Sequence, residues 1–156
     1  MYRVDIYLES GSGYMGKQKR KTGYYMTCRL AGGREYNDLK ITETEGTYNH
    51  CMLETLDAAL SRMKRPSEIH IHSANLYILD MLESNLSSWA ANGFANKKGE
   101  PIKDRECWKS VWGHTDGHIL VAEKGPHEYS HWMKWMFTHE PVDNHVDKSQ
   151  KPHKQL

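Results

Sequence analysis

Cysteine is scarce in this chain of 156 residues. Cys28, Cys51 and Cys107 are odd in number and show no CxxC spacing. That excludes a disulfide framework and favours a reducing compartment, so the expected location is cytoplasmic. No apolar run approaches the ~20 residues that a membrane-spanning helix needs. The opening MYRVDIYLES carries charge within its first five residues, which is not the pattern of a secretory signal. Net charge is also nearly absent: at +1 overall, the chain is neither a strongly basic nor a strongly acidic protein. Only two phenylalanines are present, but nine tyrosines, five tryptophans and eight methionines supply bulk for a core. With 38% hydrophobic and 26% charged residues, the composition is that of one globular domain rather than a disordered chain.

The small net charge hides an uneven distribution. Residues 1–30 hold Arg3, Lys17, Lys19, Arg20, Lys21 and Arg29 against Asp5 and Glu9, whereas residues 31–96 are net acidic. Such a local basic cluster is compatible with a phosphate-bearing ligand.

Periodicity divides the chain. Val4, Ile6 and Leu8 alternate with Asp5, Tyr7 and Glu9, predicting a strand. Gly11, Gly13 and Gly16 follow, then a basic turn from Lys17 to Lys21. Residues 23–30 and 34–42 predict two more strands about Gly32-Gly33, so the N-terminal third reads as an antiparallel meander. From Thr47 the spacing of Met52, Leu53, Leu56, Ala59, Leu60 and Met63 becomes helical, with Pro66 closing the helix. A short strand at 68–72, helices from Leu76 and Leu86, and a Lys- and Gly-containing loop at 95–103 come next. A helix capped by Asp104, a strand at 118–122 and a helix at 129–137 complete the pattern. The order β β β α β α α α β α predicts an α/β fold: a mixed five-stranded sheet of three antiparallel strands and then βα units, flanked by helices. The domain is expected over residues 1–140, with a polar tail over 141–156.

This order and its landmarks resemble the type 1 ribonuclease H family over roughly residues 3–137. The most specific stretch is Trp89-Ala-Ala-Asn-Gly93-Phe94, then Lys97-Lys98-Gly99, Pro101-Ile102-Lys103 and Trp108. It is similar to the helix, Gly-aromatic turn and basic handle with which many members grip a hybrid duplex. Thr47-Tyr-Asn49-His-Cys-Met52-Leu53 resembles the family's first helix, and Val4 to Glu9 the strand that presents the first catalytic aspartate.

The resemblance implies a two-metal phosphodiesterase site of four carboxylates, whose Mg²⁺ or Mn²⁺ ions prefer oxygen ligands. This sequence departs from it. Strand one ends in Glu9, while the other three positions fall on Met52, Ala74 and Met133. A thioether is a poor Mg²⁺ ligand and alanine is none. Glu54 and Glu128 are the carboxylates that could substitute.

The expectation is therefore a degenerate, ribonuclease H-like protein that binds RNA, an RNA–DNA hybrid or a ribonucleoprotein without cutting it. No cofactor is expected, and no membrane partner. Lys17, Lys19, Arg20 and Lys21 would form one phosphate-facing edge and Lys97, Lys98 and Lys103 the other, with Thr47, Asn49 and His50 between them at a helix start suited to phosphate. Degenerate relatives look at home on bacterial mobile elements, which extends the expectation to an anti-defence role against a guide-RNA effector. Two alternatives stand beside it. One is an active metal-dependent RNA endonuclease that combines Glu9 with Glu54 or Glu128, using Mg²⁺ or Mn²⁺. The other is a protein-binding module on the same scaffold. Ten histidines, among them His70/His72, His114/His118 and His127/His131, lack HExxH or Cys pairing and are expected at the surface rather than at zinc.

Overall fold

The computed structural model describes residues 1–139, so the expected tail at 141–156 lies outside the described residues. The strands are β1 (Tyr2–Ser10), β2 (Gln18–Arg29), β3 (Glu35–Gly46), β4 (Ser67–Ser73) and β5 (Ile119–Lys124). The helices are α1 (Tyr48–Leu60), α2 (Leu76–Ser84), α3 (Leu86–Ala91), α4 (Arg105–His114) and α5 (Ser130–His139). The strands form one sheet in the order β3-β2-β1-β4-β5. β2 runs antiparallel to β1 and β3, while β4 is parallel to β1 and β5. This is the α/β arrangement expected from the sequence.

Alternation along β1 builds the two layers. Val4, Ile6 and Leu8 point into the main core with Met52, Leu53, Leu56 and Leu60 of α1, Ile69 and Ile71 of β4, and Trp108 and Val111 of α4. Tyr7 points the other way, into a second cluster with Tyr25, Leu39, Ile41 and the α5 residues Met133, Met136 and Phe137. Gly23 is glycine because α5 lies close: a Cβ there would sit 2.8 Å from the Lys40 carbonyl and 3.0 Å from the Phe137 ring. Of the large α5 side chains, Met136 is buried and Trp132 packs on Tyr25, but Trp135 is 53% exposed and stacks on His139.

Three local expectations need correction. The basic stretch is not a turn. Gln18 already pairs with Gly46, and Lys19 and Lys21 lie opposite Glu45 and Glu43, so cross-strand charge pairing extends β2 backwards. The first helix ends at Leu60, well before Pro66. The Ser61 cap and the bonds from Arg62 N to Ala59 O (3.1 Å) and Met63 N to Leu60 O (3.1 Å) tighten the chain there. That turn swings the Arg62 guanidinium onto the buried Asp38 carboxylate at 2.7 Å. Asp104 precedes α4 but makes no side-chain cap; its backbone is left-handed (φ 57°) and its carboxylate goes to His50 instead.

Candidate nucleic-acid interface

Glu9 stands one residue before the end of β1, on the face covered by α5. Its Oε1 accepts the Ser10 backbone N–H at 3.3 Å and lies 3.9 Å from Lys134 Nζ, and its Oε2 lies 3.5 Å from His127 Nε2. Both ring nitrogens of His127 are committed. Nε2–H donates to the Leu8 carbonyl (2.9 Å), and Nδ1 accepts the Tyr129 N–H (3.2 Å). Burial pushes its pKa down, against the opposing pull of that carbonyl and of Glu9, so the ring is neutral. A neutral imidazole with its lone pair already occupied is a structural post, not a base or a metal ligand.

No carboxylate stands at the other three positions that the resemblance points to. Met52 is 1% exposed in the main core and Met133 is fully buried in the second cluster. Ala74 is exposed, and its neighbours serve the backbone. Ser73 Oγ accepts the Asn75 N–H, Asn75 Oδ1 caps α2 through Ile78 N, and Asn75 Nδ2 donates to Asn49 Oδ1 at 3.0 Å, tying the starts of α1 and α2 together. Glu54 faces away, paired with His50 at 2.6 Å. Glu128 accepts the Tyr7 hydroxyl at 3.3 Å. Among the described residues no group of three or more His, Cys, Asp or Glu side chains could hold a metal ion. The donors around Glu9 therefore do not fit a pair of Mg²⁺ or Mn²⁺ ions.

A different arrangement occupies the start of α1. Thr47 caps the helix, its Oγ1 accepting the His50 N–H at 3.2 Å. Beside it lies a recess of about 380 Å³ lined by Lys17, Thr47, His50, Lys103 and Asp104, with Glu45 on the wall. The His50 ring is fixed between Asp104 (2.8 Å) and Glu54 (2.6 Å). Two exposed lysines, one following the β1–β2 loop and one preceding α4, thus line a recess at one helix N-terminus, where the N–H groups of Tyr48, His50 and Cys51 already have acceptors within the protein.

The remaining basic residues are divided. Lys19 is exposed on β2. Arg20 is not at a phosphate-facing edge: it is 3% exposed, and its guanidinium donates to the carbonyls of Ser12 (3.0 Å), Gly16 (2.6 Å) and Gly46 (3.1 Å). Lys21 points to the opposite face, where Nζ donates to the Phe137 carbonyl at 2.7 Å, near the end of α5. Lys97 and Lys98 sit at the exposed tip of a turn held by Asn96, whose Oδ1 accepts the N–H groups of Lys98 and Glu100. That excursion closes at its base through Ala95 and Pro101, so Lys103 belongs to the recess and Lys97 and Lys98 to the tip.

Sequence reasoning missed a second polar site on the face of β4. His70 lies between Glu68 (2.8 Å) and Glu123 (2.9 Å), and His72 bonds Asp5 at 2.8 Å while stacking on Tyr7. The spacing of Glu68, His70 and His72 placed all three on one face of β4; Asp5 and Glu123 came from strands β1 and β5, whose register the sequence does not show. Burial lowers the His70 pKa, but the bonds to Glu68 and Glu123 outweigh it and the net shift is upward, with Arg3 opposing and Asp5 assisting. Because the folded value is raised, the stabilisation is complete below the ordinary histidine value of about 6.5 and is lost as pH rises through the folded value. The urea midpoint of wild type should therefore exceed that of His70→Asn by more at about pH 6 than at about pH 8. A gap that is constant across that range would show that folding does not shift the ring's titration, and one that grows with pH would show that the ring is neutral in the fold. The remaining pair is also structural: His114 binds Asp57 and His118 accepts the Ser67 N–H.

No family model matches the chain. The sequence is 27% identical over 149 residues to a ribonuclease H of Brucella ovis, covering 95% of this chain and 87% of that protein. It is equally identical over the same length to the ribonuclease HI of Brucella melitensis. The match to a ribonuclease H of Brucella anthropi is shorter, at 71% of this chain and 66% of that protein. Among solved structures, LC9-RNase H1, a type 1 RNase H with the type 2 active-site motif, superposes with a TM-score of 0.70 at 18% identity, covering 94% of this chain and 78% of that one. The PFV RNase H domain superposes with a TM-score of 0.63, covering 84% of each chain. The fold is thus ribonuclease H-like. The sequence is similar to type 1 ribonucleases H through nearly the whole chain. No helix among the described residues is long and apolar enough to cross a membrane.

Proposed function

We propose that this protein binds nucleic acid, as RNA, an RNA–DNA hybrid or a ribonucleoprotein, through the α1 recess, and that it does so without two-metal cleavage. One observation carries the reading: the recess keeps Lys17, Thr47 and Lys103 at a helix N-terminus, while Met52, Ala74 and Met133 leave Glu9 without carboxylate partners. A structural neighbour, the foamy viral protease-reverse transcriptase, has been solved in complex with an RNA/DNA hybrid (TM-score 0.57, 18% identity, 79% of this chain and 17% of that one). Bound without cleavage, the protein would act by occupancy, covering a strand or blocking a ribonucleoprotein's guide RNA.

The test measures binding of a labelled hybrid and a labelled RNA by fluorescence anisotropy across a salt series. Affinity should fall steeply with salt, and Lys17→Ala and Lys103→Ala should each reduce the log–log salt slope by about one. Absent or salt-insensitive binding would favour a protein-binding scaffold. The same substrates incubated with Mg²⁺ or Mn²⁺ should stay intact. Cleavage that Glu9→Ala abolishes would overturn the reading in favour of a rearranged acidic site.

A further inference from the structure

We propose that Tyr14 is a stacking platform for an unpaired base, so that the nucleic acid held at the recess is single-stranded where it crosses the start of α1. This rests on the nucleic-acid reading above and adds to it the strand state of the ligand. The β1–β2 loop shows a large ring to solvent, with Tyr14 61% and Met15 57% exposed. Large apolar groups exposed on a loop are ordinarily mobile; this loop is fastened at every step. The Arg20 guanidinium clamps the carbonyls of Ser12 and Gly16 to that of Gly46 at the end of β3. Ser10 Oγ donates to Ser12 O at 2.7 Å, Ser12 Oγ accepts the Tyr14 N–H at 3.2 Å, and Met15 O accepts the Tyr48 N–H at the start of α1. The Tyr14 ring lies over Gly16 so closely that a Cβ at that position would come within 2.7 Å of it. Glycine leaves room for the ring at that place, and the fastened backbone fixes the point from which it projects.

The platform borders the recess. Lys17, three residues after Tyr14, lines it with Thr47 and Lys103. On its other side the Asn49–Asn75 bond brings up α2, where Leu76 is 51% and Tyr77 39% exposed. The Tyr77 hydroxyl is near enough to Asp104, a recess residue, for that carboxylate to add to the effect of burial in raising its pKa. Two exposed rings thus flank a recess whose rim carries Lys17 and Lys103, with Glu45 and Asp104 beside them. Stacking rings alternating with phosphate-holding cations is how proteins hold single strands, because every base has a π-face. A continuous duplex hides those faces in its own stack, which selects unpaired nucleotides as the ligand.

The experiment compares oligonucleotides of about 12 nucleotides, single-stranded RNA or DNA and the matching RNA–DNA hybrid, against wild type, Tyr14→Ala, Tyr14→Phe and Gly16→Ala. Tyr14→Ala should weaken single-strand binding by about tenfold or more, while Tyr14→Phe, which keeps the ring, stays within about twofold. Gly16→Ala, which displaces the ring without removing it, should weaken single-strand binding while melting at the wild-type temperature. Fluorescence of a 2-aminopurine strand should be quenched by wild type and not by Tyr14→Ala. Tyr14→Ala binding as tightly as wild type, or losing hybrid and single strand equally, would overturn the platform and leave the recess reading standing. Failure of wild type to bind any of these probes would overturn both.

Discussion

Arg20→Ala should cost about 3 kcal/mol of folding stability, lowering the melting temperature by roughly 10 °C. The cation is 3% exposed, and its donors join the carbonyls of Ser12, Gly16 and Gly46. Hydrogen bonds from a charged donor contribute about 1.5–3 kcal/mol each, less the cost of having buried the cation, so the net is well below their sum. The Tyr48 ring, with its centroid 6.0 Å from the guanidinium carbon, loses its cation as well. Arg20→Lys should recover little, because one ammonium cannot span three divergent acceptors as a planar fork does. Thermal melts and urea titrations measure the effect. An unchanged melting temperature together with a reduced salt slope of nucleic-acid binding would mean that Arg20 is a phosphate contact after all.

The second large effect follows from placing a carboxylate at a position that the family resemblance points to. Met52→Glu should destabilise the protein by about 4 kcal/mol at neutral pH, because burial at such a site raises a glutamate pKa by several units. Met52 is 1% exposed among Leu53, Leu56, Ile6 and Ile71, all apolar. The sign follows from linkage. The introduced group has a folded pKa above its unfolded one, so the penalty is full above the folded value and shrinks as pH falls towards about 4.3. Met52→Leu, which preserves the volume and the apolar character, should cost less than about 1.5 kcal/mol. Met133→Asp should behave like Met52→Glu, since Met133 is fully buried under α5. A Met52→Glu protein as stable as wild type, or one further stabilised by Mg²⁺, would show that the carboxylate reaches Glu9 and that the site still accepts a metal.

Every strand and helix was legible because alternation and helical spacing depend only on neighbours in the chain. Val4/Ile6/Leu8 and Met52/Leu56/Ala59/Leu60 do face the cores they promised. The convergence of Thr47, His50, Lys17 and Lys103 was also legible, through the family resemblance rather than through any spacing. The basic run was misjudged because a count of cations does not tell which face each one takes. Once Gln18–Lys21 is strand, alternation sends Arg20 into the loop clamp and Lys21 towards α5. The signal was available in Glu43 and Glu45, whose alternation with threonine matches Lys21 and Lys19 across the strand pair. Asp104 was read as a cap from its position before α4, and only the fold revealed His50 within 2.8 Å.

By itself, then, the sequence determined the order of elements and the two apolar faces of the sheet. Tertiary structure decided which charges are exposed and which are structural, that Glu54 and Glu128 are turned to other partners, and that Tyr14 is held out on a fastened loop. Those outcomes depend on pairings between residues far apart in the chain, such as Arg20 with Gly46 or Tyr7 with Glu128, and no local pattern encodes the register that brings them together.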